Sequence, residues 1–330
     1  MRRIGWAMGV VVMLAAAGAK AADDQPVTFD MAKWAVWLDG VRTEARGRGI
    51  AQPVLDVALG GIEPIPRVIE LDRRQPEFTL TFAQYIERVV PAARVEKGRR
   101  AYADNRTLLD EVGAKIGVQP RFVVALWGIE TDFGRVTGGF NVVNALATLA
   151  FDGRRSSYFR KELFDALHIL DEGHIDAPNM MGSWAGAMGQ AQFMPSSFVN
   201  FAVDYDGDGR RDIWTTRADV FGSAANYLKR VGWKDDQTWG REVRLPAGFD
   251  EALAKSNAIK KTADWQAMGV RNRDGSDLPA RQLDAQIVIP DGIQGRAFMV
   301  YDNYRAILRW NRSHYFALAV GLLSDRIGGN

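Results

Sequence analysis

Apolar residues at helical spacing recur along most of this 330-residue chain, and that periodicity is what most limits the folds open to it. From Phe29 to Arg48 the apolar positions Met31, Trp34, Ala35, Leu38 and Val41 share one helical face. Similar patterns run through Leu80 to Arg99 and Leu108 to Ile116. Pro64 and Pro66 mark a loop, and Gln75-Pro76-Glu77-Phe78 leads into the helix that carries Tyr85. Pro120 to Phe133 reads as one buried helix, with proline in its first turn, Phe122, Val123, Leu126, Trp127 and Ile129 along it, and Gly134 as C-cap. Further helices are expected at Ser157 to Leu170, Pro195 to Ala202, Asp219 to Val231 and Tyr315 to Arg326.

One stretch breaks the pattern. Between Trp239 and about Arg296, Glu242-Val243-Arg244-Leu245-Pro246 and Gln286-Ile287-Val288-Ile289-Pro290 read as short strands separated by Gly and Asp turns. The expected class is therefore α+β, mainly α, with a small β-containing insert.

Several chemistries are excluded by composition. The chain has no cysteine, which removes thiol nucleophiles, thiolate metal sites, disulfides and a lipid anchor on an N-terminal cysteine. Arg2 and Arg3, the apolar run from Ile4 to Ala17 and the small-x-small triplet Ala19-Lys20-Ala21 read as a secretory signal over residues 1–21. That run is shorter than the roughly 20 residues a bilayer span needs. Taking Arg2, Arg3 and Lys20 from 42 basic residues leaves 39 against 40 acidic ones, which argues against a nucleic-acid partner. His168, His174 and His314 lack metal-ligand spacing, and neither a Gly-x-Ser-x-Gly elbow nor a phosphate-binding glycine loop is present.

Glu130 is an acid on an otherwise apolar helix, one turn beyond Leu126 and Trp127. Desolvation raises a carboxyl pKa and keeps a proton available near neutral pH, as a general acid for glycosidic cleavage requires. The competing reading is a buried glutamate paired with an arginine such as Arg135. Asp132, two residues on, points to a different helical face and suits a helix-end hydrogen bond better than the role of second catalytic carboxylate.

Residues 182–198 are rich in glycine and alanine, which lets backbone approach a ligand closely, and Ser183, Gln190 and Gln192 carry groups that bond sugar hydroxyls or acetamido groups. A tight loop feeding the helix after Pro195 would read the same way. Asp204-Tyr205-Asp206-Gly207-Asp208-Gly209-Arg210 matches the first half of an EF-hand loop, with Arg210 offering its carbonyl. The twelfth position is Thr215 instead of glutamate, so the closing ligand is expected at Asp219; a solvated acidic turn is the alternative. Tyr158, Tyr227, Tyr301, Tyr304, Trp310 and Tyr315 could be stacking faces for sugar rings or core residues.

Four segments together closely resemble the lytic murein transglycosylase B family: residues 127–134 (Trp-Gly-Ile-Glu-Thr-Asp-Phe-Gly), 144–149 (Asn-Ala-Leu-Ala-Thr-Leu), 186–196 (Gly-Ala-Met-Gly-Gln-Ala-Gln-Phe-Met-Pro-Ser) and Ala225-Asn226-Tyr227. The resemblance runs from about Phe29 to Ile327 and implies a lysozyme-like helical core. It divides the chain into a signal (1–21), an N-terminal helical region (22–119), a catalytic core with the EF-hand-like loop (120–238), the β-containing insert (239–296) and a C-terminal return to the core (297–330). It implies Glu130 as sole catalytic acid and base, Ser183 and Gln192 lining the site, and Tyr158, Tyr227 and Tyr85 against the glycan. Asn311 falls on the family's site asparagine, and calcium on Asp204, Asp206, Asp208, Arg210 and Asp219. This chain departs in carrying Trp310 and Phe316 where relatives usually have tyrosine, with Tyr315 one place earlier.

The implied reaction is non-hydrolytic cleavage of the β-1,4 bond between N-acetylmuramic acid and N-acetylglucosamine, leaving 1,6-anhydromuramoyl ends. The partner is then the peptidoglycan glycan strand, with structural calcium, no organic cofactor, and a soluble periplasmic monomer without a membrane span after processing. A hydrolytic muramidase and a non-catalytic wall-binding protein are the alternatives.

Overall fold

A computed structural model describes residues 27–73 and 80–329. The expected signal segment and the Gln75 to Phe78 lead lie outside the described residues. In chain order the helices are α1 (Met31–Gly47), α2 (Gln52–Ala58), α3 (Pro66–Arg73), α4 (Phe82–Val89), α5 (Ala92–Asp104), α6 (Arg106–Ile116), α7 (Pro120–Thr131), α8 (Val142–Phe151), α9 (Ser156–Asp171), α10 (Pro195–Phe201), α11 (Arg217–Arg230), α12 (Glu251–Lys255), α13 (Thr262–Ala267), α14 (Asp302–Trp310) and α15 (His314–Gly328). The strands are β1 (Phe140–Asn141), β2 (Met181–Gly182), β3 (Gly240–Arg244), β4 (Ile259–Lys261), β5 (Arg271–Asn272), β6 (Asp284–Val288) and β7 (Ala297–Val300). No helix among the described residues is long and apolar enough to cross a membrane.

The described residues form two compact units, one from 27–73 with 130–226 and the other from 80–129 with 227–329. The divisions fall inside α7, between Ile129 and Glu130, and inside α11, between Asn226 and Tyr227.

In the first unit, α1 starts where Asp30 accepts hydrogen bonds from the amides of Ala32 and Lys33, and buries Trp34, Leu38, Val41 and Ala45 along one stripe. Helix α8 packs along α9, and α9 along α10. Val142 and Val143 begin α8 and are poor helix formers, a cost of about 0.6 kcal/mol each. Both are fully buried, which contributes roughly 1.5–3 kcal/mol per side chain, so packing outweighs propensity.

In the second unit the apolar run from Leu80 to Arg99 is split into α4 and α5. Pro91 cannot donate a backbone hydrogen bond and disfavours helical dihedrals at Val90, so α4 stops at Val89 and a new helix begins at Ala92. Strands β4, β6, β7, β3 and β5 lie in that order in an antiparallel sheet. Val243, Trp265, Ile287, Met299 and Tyr301 fill its core. The two strands read from the sequence are present, and the sheet continues to Val300. Strand β7 (Ala-Phe-Met-Val) is buried at every position, so it lacks the alternation that marks a half-exposed strand.

Candidate active site

Helix α7 ends at Thr131, two residues earlier than its apolar pattern suggests. Asp132, Phe133 and Gly134 follow with φ of 50°, 62° and 81°, three successive left-handed residues that end the helix abruptly. The Thr131 hydroxyl accepts from the Gly134 amide at 3.0 Å and donates to the Gln190 carbonyl at 3.0 Å. Glu130, only 5% exposed, is thereby fixed at a helix end tied to the glutamine-bearing loop. Arg135 donates to Asp132 at 2.7 Å, so the arginine that could have neutralised Glu130 serves the helix-end aspartate.

The loop at 182–193 is shaped by backbone. Strand β1 pairs with β2, and the pairing continues through bridges between Gly182 and Met188 and between Met188 and Phe193. A Cβ on Gly182 would lie 2.2 Å from the Ala187 carbonyl oxygen, and one on Gly189 (φ 62°) 2.6 Å from that of Ile213, so both positions admit only glycine without rearrangement. Ser183, nearly buried, accepts from the Ala187 amide at 3.1 Å. Gln192, itself left-handed at φ 48°, donates from Nε2 to the carbonyls of Thr137 at 3.0 Å and Gly189 at 2.9 Å. Gln190 bonds in a different direction, its amide N–H donating to Ile213 O and its Nε2 to Trp214 O, both at 2.8 Å. That side chain joins the glutamine loop to the end of the acidic loop.

Tyr158 is half-buried on α9, where burial, reinforced by the charge of Glu162 one turn on, pushes its phenol above the usual range. Among the described residues five non-glycine positions have positive φ; Asp132, Phe133, Gln192 and Arg155, near the start of Tyr158's helix, are four of them. Such strained backbone gathers at functional sites.

The acidic loop brings Asp204, Asp206 and Asp219 together, with a carboxylate oxygen of each within 4.8 Å of the others. Asp204 accepts from the amides of Gly207, Asp208 and Gly209, and backbone bonds of this kind hold its carboxyl below the usual range despite desolvation. Asp219 is fully buried and accepts from Tyr205 N at 2.7 Å and Asp212 N at 2.6 Å. Burial, with the charges of Asp206 and Asp204, pushes it up to about 6. Asp208 stands outside this trio and accepts from the Arg210 amide at 2.8 Å. Hard carboxylate oxygens at this spacing suit a divalent cation such as calcium.

The remaining site candidates belong to the second unit. Tyr227 donates to the Arg309 carbonyl at 2.7 Å and meets Trp310 at a ring separation of 4.8 Å; burial pushes its phenol up to about 12. Asn311 is 4% exposed, and its Oδ1 accepts from Ser313 N while Nδ2 has no hydrogen-bond partner among the described residues. Phe316 is a core residue, whereas Tyr315 is half-buried, meeting Phe82 and Tyr85 at 5.3 and 5.4 Å and donating to Asp291 at 3.2 Å.

The family model described as Transglycosylase SLT domain matches residues 33–325. A curated relative, membrane-bound lytic murein transglycosylase B of Escherichia coli (strain K12), is 34% identical over 251 residues, 74% of this chain. The chain belongs to the lytic murein transglycosylase B family. It spans 66% of the length of that curated family member. Among solved structures of the family, SltB3 from Pseudomonas aeruginosa in complex with NAG-anhNAM-pentapeptide is similar with a TM-score of 0.88 and 45% identity, covering 90% of this chain and 80% of that one. Escherichia coli Slt35 in complex with calcium is similar with a TM-score of 0.75 and 28% identity, covering 89% of this chain and 92% of that one.

Two carboxylates escape the sequence reading of this family member. Glu162 is 2% exposed on α9 and accepts from the Ser196 amide and hydroxyl, both at 2.8 Å, which pins the start of α10 just beyond Gln192. Burial pushes its carboxyl up while the Ser196 bonds oppose the shift. In sequence it sits beside Arg160 and Lys161, where a charged residue looks like part of a solvated face. Asp291 follows β6 in what reads as an ordinary turn, and only the fold shows what it holds.

Proposed function

We propose that this chain is a peptidoglycan lytic transglycosylase in which Glu130 serves as both acid and base. The carrying observation is Glu130 itself, buried at the end of α7 and locked through Thr131 to the loop that presents Ser183 and Gln192. Protonated Glu130 donates its proton to the glycosidic oxygen as the C1–O bond of N-acetylmuramic acid breaks, and the substrate's acetamido oxygen stabilises the positive charge developing at C1. The Glu130 carboxylate then takes the proton of the muramoyl C6 hydroxyl while that oxygen bonds to C1. The product carries a 1,6-anhydro ring, no water is consumed, and Glu130 is again protonated. The relative solved with NAG-anhNAM-pentapeptide supports an anhydro product of this kind.

The Gln192 carbonyl and the Ser183 hydroxyl are suited to hold acetamido and hydroxyl groups, with Tyr158, Tyr85, Tyr227, Asn311 and Tyr315 completing the glycan contacts. Calcium bound by Asp204, Asp206, Asp208, the Arg210 carbonyl and Asp219 would hold the acidic loop and, through Gln190, brace the glutamine loop. The carboxylate trio and the calcium complex of Slt35 support this assignment. The pattern of residues 1–21 supports export, and with no cysteine for a lipid anchor we assign the mature chain to the periplasm as a soluble monomer.

Mass analysis of sacculi digested with the purified protein tests the reaction. Anhydromuramoyl ends are expected, and reducing ends would reassign the chain as a hydrolytic muramidase. Glu130→Gln is expected to abolish product while leaving the fold and glycan binding intact; unchanged wall lysis by this variant would remove the catalytic role.

A further inference from the structure

The carboxylate of Asp291 gathers three donors from two separate helices of one unit. Its Oδ1 accepts from the Phe82 amide at 2.7 Å and from the Tyr315 hydroxyl at 3.2 Å, while Oδ2 accepts from the Ala83 amide at 3.3 Å. Phe82 and Ala83 are the first residues of α4, whose amides have no partner within the helix. The capping box formed by Thr81 and Gln84 serves the next amide, so Asp291 completes the helix start. A negative charge there is favoured by the helix dipole.

We propose that Asp291 is a positioning residue that sets the Tyr315 and Tyr85 rings for glycan binding; this rests on the glycan contacts assigned above. The Tyr315 ring meets Phe82 at 5.3 Å with an interplanar angle of 68° and Tyr85 at 5.4 Å with 55°. Phe82 and Tyr85 lie one turn apart on α4, so one carboxylate sets both the start of the helix that carries one tyrosine and the hydroxyl of the other. An ionised carboxylate only accepts, so the Tyr315 O–H donates to it. A glycan bonding this hydroxyl must therefore supply the donor, a sugar hydroxyl or an acetamido N–H. Burial and the Asp291 charge raise the phenol's pKa further above neutrality. With Phe316 committed to the core, Tyr315 is the residue that presents a phenol in this part of the chain.

Steady-state kinetics on purified uncrosslinked glycan strands test the assignment, with melting temperatures as a check on folding. Tyr315→Phe and Asp291→Ala are each expected to raise KM by roughly three- to tenfold with kcat within about twofold, the loss expected for one oriented hydrogen bond. Asp291→Asn, which keeps one acceptor oxygen, is expected to fall between wild type and Asp291→Ala. A folded Asp291→Ala with wild-type KM, while Tyr315→Ala raises KM, would overturn the positioning role alone. Wild-type KM in Tyr315→Ala would instead overturn the glycan contact on which the proposal stands. Tyr315→Phe leaves the start of α4 intact, so wild-type KM in that variant overturns the proposal even if Asp291→Ala fails to fold.

Discussion

The glutamine loop at 182–193 and the acidic loop at 204–216 lie in one unit and are bonded to each other, yet they are built on opposite principles. The first is held by what its residues lack: glycines at 182 and 189 let backbone come within distances any Cβ would obstruct, and its bonds run mainly between backbone groups. The second is held by its side chains, with Asp204, Asp206, Asp208, Asp212 and Asp219 each accepting from backbone amides of the same loop or its flank. One is rigid through sterics and carries no titratable residue. The other concentrates negative charge, with carboxylates of Asp204, Asp206 and Asp219 gathered within it.

The largest expected effect lies in the acidic loop. Chelation should lower the melting temperature by an amount equivalent to roughly 3 to 4 kcal/mol, if calcium is supplied at hundreds of times its Kd. Asp219→Asn should abolish that calcium-dependent shift, and a variant that keeps it would show that the loop closes elsewhere. The two loops should also separate by pH. In calcium-free protein Asp219 holds its proton up to about pH 6, above the 3.8 of the unfolded chain, so its contribution is present below 3.8 and lost as pH rises through about 6. Denaturation across that window should show stability falling with pH, and the slope should flatten in Asp219→Asn or with calcium added.

The glutamine loop should break in the opposite manner, insensitive to calcium and pH. Gly189→Ala combines a left-handed backbone with a clash against the Ile213 carbonyl, a cost of about 2 to 4 kcal/mol that denaturant titration can measure. Rescue of this variant by calcium would contradict the steric account. The smallest change is expected at the junction: Thr131→Val loses the bond to Gln190 and about 1 kcal/mol of stability, and should lower kcat more than it raises KM. Thr131→Ser keeps the hydroxyl and should restore most of the rate.

Much of this site is legible in the residues. Glu130, the glycine-bearing loop and the acidic repeat are local patterns, in which chemistry and spacing sit within a dozen positions. Gln190 and Gln192 show where such reading ends, since two side-chain amides in one motif are drawn to different carbonyls, at Trp214 and at Thr137. Pro91 states a break that the longer apolar period conceals, and α7 stops at Thr131, where left-handed backbone follows and the hydroxyl meets a carbonyl 59 residues away.

The sequence by itself determined a mainly helical chain with one sheet-bearing stretch, an acid isolated on an apolar helix and two polar loops, because each depends on residues close together along the chain. Only the tertiary structure decided that Thr131 bonds the Gln190 carbonyl, and that Glu162 and Asp291 each start a distant helix. These are hydrogen bonds between segments far apart in sequence. Their partners are fixed by packing, which no local spacing encodes.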